Sequence, residues 1–176
     1  VSTGKTMPYC LRPTSMTFAG YVVAKNSLEI DKAKTTYISH SNLRSYVNNI
    51  SCKHILLGMD VCFGGSLDPA ISRQRGTPEG DELSLNEFIA RKLSKKTRLY
   101  LTSGGKEYVS DGIVGKHSPF ASSFLESLQS MGGADQILTV NEILPYLEKI
   151  KQHEPRTGDF GYNEKGSDFI FIAKRN

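Results

Sequence analysis

The sequence predicts an α/β fold in which helices flank a mostly parallel central sheet. Three observations carry that expectation. Two short apolar runs, 54–61 and 98–103, are bounded by turn formers and read as strands buried on both faces, as parallel strands are. Amphipathic helical stretches alternate with such runs along the chain, the order of βαβ units. Both runs lead into a glycine pair, Gly64-Gly65 and Gly104-Gly105. Two strand ends of one kind therefore open on one sheet edge, where ligand crevices lie in open α/β sheets.

The chain has 176 residues, 38% hydrophobic and 23% charged, which fits one domain over residues 1–176 with a sizeable core. No apolar run reaches the roughly 18 residues of a membrane span. No charged start followed by an apolar h-region marks a secretory leader. The sequence starts at Val1 rather than Met, so a larger parent protein is expected. The net charge of +4 is scattered, and its tightest cluster is Arg91, Lys92, Lys95, Lys96 and Arg98. That cluster lacks the interleaved aromatic residues on which nucleic-acid bases would stack. It reads as the solvated end of a helix, and neither nucleic acid nor a membrane is expected as a partner. Three sparse cysteines, Cys10, Cys52 and Cys62, point to free thiols in a reducing compartment, and hence to a cytoplasmic location. No CxxC pair with a nearby histidine suggests zinc and no oxygen cluster suggests calcium. No metal or other cofactor is expected.

Taken in order, residues 1–17 are polar and irregular and read as a loop. Gly4-Lys5-Thr6 matches only the last positions of a phosphate-binding loop, without its first glycine or preceding strand, and is rejected. Residues 18–24 form a short strand candidate that turns at Lys25-Asn26-Ser27. Leu43, Tyr46, Val47 and Ile50 share one helical face, with Ser39 or Ser41 as the cap. The central strand, 54–61, follows. Residues 64–82 make a turn-rich, charged loop, and a loop of that length inside a domain is either functional or disordered. A helix over 83–93 opens on a capping box of Ser84 and Glu87. After the strand at 98–103, Ser118 caps a helix whose first position is Pro119 and whose seam is Phe120, Phe124 and Leu128. A further helix, 140–151, turns Ile143, Leu144, Leu147 and Ile150 inward, and 168–173 closes the chain as a strand.

The chemistry centres on Asp60-Val61-Cys62-Phe63-Gly64-Gly65. A cysteine at the mouth of a buried strand is placed to act as a nucleophile, and the glycines after it leave room for substrate and free backbone N–H groups for an oxyanion. Cys62 is read as that nucleophile and Gly64 as an oxyanion donor; the plainer reading of Cys62 is a buried structural thiol. Asp60 shares the face of Cys62 under period-two alternation. A carboxylate there disfavours a thiolate, so Asp60 suits reception of a substrate cation better than activation, or else it caps a strand end.

These residues resemble the nucleophile strand of caspase-like cysteine peptidases. The Asp-x-Cys form, followed by small residues, is similar to metacaspases, paracaspases and the bacterial CHAT-type proteins. The likeness extends over about residues 18–173: Gly20-Tyr21-Val22-Val23, Tyr37-Ile38-Ser39, Leu101 to Glu107, Lys116 to Ala121 and Gly166 to Ile172 follow in the family's order. It implies a three-layer caspase-like fold, a Cys-His dyad, and cleavage of protein substrates after Arg or Lys. Ser103 and Glu107 would line the substrate groove, although both also read as plain loop residues. Arg73 and Arg75, within the 64–82 loop, would suit self-cleavage.

The resemblance leaves one part unfilled. The family's histidine lies in a His-Gly element about 50 residues before the cysteine, and no histidine precedes His40 here. His54 starts the strand eight positions before Cys62, too far at about 3.3 Å per residue; His117 and His153 fall in the C-terminal half. The catalytic histidine and the first strands of the sheet are therefore expected upstream, on another fragment or chain of the same protein. The alternative is a catalytically inactive caspase-like scaffold or interaction module.

Overall fold

A computed structural model describes residues 20–24, 26–61, 84–105, 109, 112, 115–130 and 132–174. The expected loop at 1–17, the loop at 64–82, and Cys62, Gly64, Arg73, Arg75 and Glu107 lie outside the described residues. The elements run β1 (Tyr21–Val22), β2 (Ile38–Ser39), α1 (His40–Asn49), β3 (His54–Met59), α2 (Leu85–Ser94), β4 (Thr97–Thr102), α3 (Pro119–Gln129), β5 (Ile137–Thr139), α4 (Val140–Leu147), β6 (Arg156–Asp159) and β7 (Ile170–Ile172). Mixed α/β architecture is thus present. Among the described residues no helix is long and apolar enough to cross a membrane.

Strand β4 is the centre of the packing, and every one of its residues is buried. Its period of two sends Leu99 and Leu101 to one face, where they meet Phe120 of α3 and Val140, Ile143 and Leu147 of α4. The other face carries Tyr100, which packs with Met59, Phe160 and Val47 of α1. Apolar clusters on both faces explain why Arg98-Leu-Tyr-Leu lacks the alternation of a half-exposed strand. β3 lies parallel to β4, pairing His54 with Thr97 through Met59 with Thr102.

Among the described residues the strands form three small sheets, β1–β2, β3–β4–β6 and β5–β7, and the central one is mixed rather than mostly parallel. Of the four strand pairings among the described residues, β3 with β4 is the parallel one; β1–β2, β4–β6 and β5–β7 are antiparallel. The antiparallel partner of β4, β6, is short and reads Arg-Thr-Gly-Asp, without an apolar residue. What makes β6 a strand is tertiary: its ladder to β4, with Gly158 opposite Tyr100. A Cβ at Gly158 would come within 2.8 Å of the Tyr100 ring.

Arg98 also departs from expectation. Rather than ending a solvated cluster, it is 1% exposed. Its guanidinium donates to the carbonyls of Ile50, Cys52, Lys53 and Thr97 at 2.6–3.1 Å. Four backbone acceptors replace water at its two terminal nitrogens, which accommodates a buried cation without a carboxylate, while Nε is buried with no hydrogen-bond partner among the described residues.

The helix starts follow the local chemistry. Ser39 caps α1 by accepting from the Asn42 N–H, at 3.1 Å. Ser84 and Glu87 close a capping box on α2, and Thr139 with Glu142 close another on α4. The hydrogen bond from the Ser84 hydroxyl, and then that from its backbone N–H, holds the Glu87 carboxyl below its ordinary pKa. That contribution is complete above the ordinary carboxylate range and fades as pH falls through the lowered value. Helix α4 stops at Leu147, short of the expected 151, where Ile150 N–H turns back to the Leu147 carbonyl at 3.1 Å. Between α3 and β5 the chain reverses at Gly132, whose φ is +73° and whose absent Cβ would meet the Ile137 backbone at 2.3 Å. Gly132→Ala is therefore expected to cost about 2 kcal/mol or more, lowering Tm by roughly 4–8 °C in a thermal melt.

Candidate active site

The parallel pairing of β3 and β4 brings their carboxyl ends to one edge, as read from the sequence. Asp60 and Val61 continue β3 into solvent, while Ser103, Gly104 and Gly105 continue β4 into the interior. Non-local hydrogen bonds fix this edge. Ser103 N–H donates to the Met59 carbonyl at 3.0 Å, extending the ladder by one step. The Ser103 hydroxyl donates to the Val61 carbonyl at 3.2 Å. The peptide immediately before Cys62 is therefore tied to β4.

Ser103, expected as a groove-lining residue, lies at the right edge, but its side chain faces Val61 and the residue is fully buried. It braces the strand ends instead of presenting a hydroxyl to solvent. Asp60 is exposed, as a receptor for a cation must be. Its carboxylate accepts a hydrogen bond from the Ser118 hydroxyl at the start of α3. Cys62 follows Val61 directly in sequence, whereas Cys52 is an exposed free cysteine at the opposite end of β3.

The histidines divide by position. His54 sits at the amino end of β3, where its ring nitrogens contact Thr97 Oγ1 at 3.2 Å and the Leu93 carbonyl at 3.1 Å. It joins α2 to the sheet, remote from the carboxyl edge. His117 is exposed. His153 is the residue whose placement the sequence concealed. It is 6% exposed, and its Nδ1 donates to the Ser103 carbonyl. Nε2 is buried with no hydrogen-bond partner among the described residues. Gln152-His153-Glu154-Pro155 has neither helical nor strand periodicity, so nothing local distinguished a buried histidine from a surface one.

The edge can therefore do two things chemically. It can present a carboxylate to a cationic group, and it can hold rigid the backbone that leads into a cysteine. Comparison with protein-family models, with curated proteins and with solved structures returns no match for this chain.

Proposed function

We propose that this chain is the nucleophile-bearing part of a caspase-like cysteine endopeptidase with the three-layer fold of that class, cleaving proteins after Arg or Lys. One observation supports the reading most: the carboxyl ends of the parallel pair converge, with exposed Asp60 two residues before Cys62 and Val61 tied to Ser103. In this reading the Cys62 thiolate attacks the scissile carbonyl and Asp60 receives the basic side chain beside the cleaved bond. Backbone N–H groups at and after Cys62, including that of Gly64, hold the oxyanion. A histidine on an upstream segment of the same protein accepts the thiol proton and returns it to the leaving amine. Arg73 and Arg75 are the proposed self-cleavage positions.

The test is affinity labelling of the full-length protein with an arginyl chloromethyl ketone, whose chloride the thiolate displaces. Peptide mass spectrometry is expected to find the adduct on Cys62 and not on exposed Cys52, and the intact-mass spectrum of a separate, unlabelled sample is expected to show cuts after Arg73 or Arg75. Equal labelling of Cys52 and Cys62, or equal labelling by a neutral chloromethyl ketone, would favour an inactive scaffold on this fold.

A further inference from the structure

We infer that Ser118 is the positioning residue of the substrate-reading carboxylate, an inference that rests on the reading of Asp60 as a receptor for Arg or Lys. Asp60 stands just beyond the last ladder pair of β3, Met59 with Thr102. An exposed carboxylate at such a place is free to turn about its side-chain bonds. A receptor that discriminates by charge needs one orientation, because each immobilised side chain costs binding free energy when it is ordered by the ligand.

Ser118 supplies that order from a distance of 58 residues in sequence. It is 8% exposed, and its hydroxyl oxygen accepts from the Ala121 N–H at 2.9 Å as the N-cap of α3. Its backbone, φ −58° and ψ 161°, is the extended conformation that a following proline enforces, so the cap is preset by Pro119. A hydroxyl has one donor and two acceptor positions. Capping uses an acceptor; the donor goes to Asp60 Oδ2. Asp60 Oδ1 takes no hydrogen bond from the described residues. One oxygen is thus held by a rigid helix end, and the exposure of Asp60 leaves its carboxylate open to a guanidinium or ammonium group.

Capping and positioning make different demands, and this separates them. Glycine is nearly as good an N-cap as serine but has no hydroxyl to donate. Threonine keeps both functions. In the full-length protein, Ser118→Gly is expected to raise KM for an arginyl fluorogenic peptide about 5–10-fold while kcat and Tm stay near wild type. Ser118→Thr restores the wild-type KM, and a neutral peptide shows no change in either variant. Arginine amide binding by calorimetry should weaken in parallel.

The Asp60→Asn variant distinguishes the two ways of failing. If Asp60→Asn leaves KM and arginine amide binding unaltered, the reading of Asp60 fails and the role of Ser118 falls with it. If Asp60→Asn weakens both and Ser118→Gly weakens neither, Ser118 is a helix cap alone. A loss in Ser118→Gly that is equal for arginyl and neutral peptides also overturns the positioning role.

Discussion

Arg98→Met is expected to destabilise the fold by about 3 kcal/mol or more, lowering Tm by roughly 6–12 °C. The expectation follows from what the guanidinium holds. Its two terminal nitrogens engage four carbonyls, three of them in the connection from α1 to β3. Methionine fills much of the same space but donates nothing, so those carbonyls must find water or stay unpaired. The connection then loses its anchor to β4, and with it the register of the parallel pair. Arg98→Lys should recover only part of the loss, since one ammonium has three donors and no planar fork. Urea or thermal unfolding checks this; a change below about 1 kcal/mol for Arg98→Met would show that the connection is held by something else.

The second large effect concerns selectivity. Asp60→Asn keeps the size of the side chain and its acceptor oxygen for Ser118 while removing the charge. For arginyl peptides kcat/KM is expected to fall roughly 100-fold, which is about 2.7 kcal/mol, within the range for deleting one member of a desolvated charge pair. Peptides with a neutral residue at the same position should change by no more than about threefold on the same scale. Measuring both substrates with both proteins gives the discrimination ratio directly. An equal loss on the two peptides would mean that the substitution had disturbed the cysteine rather than the specificity.

What was legible in the sequence is what short-range chemistry dictates. The caps at Ser39, Ser84 and Ser118 needed only a hydroxyl at the right offset, and Ser118 gained from the proline after it. β3 and β4 declared themselves by continuous apolar character, and their parallel pairing followed from the helix between them. Strand direction elsewhere did not follow, because it depends on where α3 and α4 return the chain. β6 has no apolar pattern to read, and it exists because Gly158 lets a backbone lie against Tyr100. Arg98 looked solvated because its neighbours in sequence are basic; only the fold brings the carbonyls of residues 50–53 around it. His153 was illegible for the same reason, since its partner, the Ser103 carbonyl, is 50 residues away. The convergence of the two strand ends, with Asp60 just beyond one of them, was legible from the sequence. The braces from Ser103 and Ser118 were not, because each is a long-range bond made by a residue type that is common in loops.

The central claim is that Cys62 carries the chemistry at this edge. Initial rates of the full-length protein and its Cys62→Ala variant on arginyl and lysyl fluorogenic peptides test it most directly. Wild type is expected to turn over both peptides and Cys62→Ala neither, a loss of at least about 10³-fold. Equal turnover by the two proteins, or none by the wild type, would contradict it.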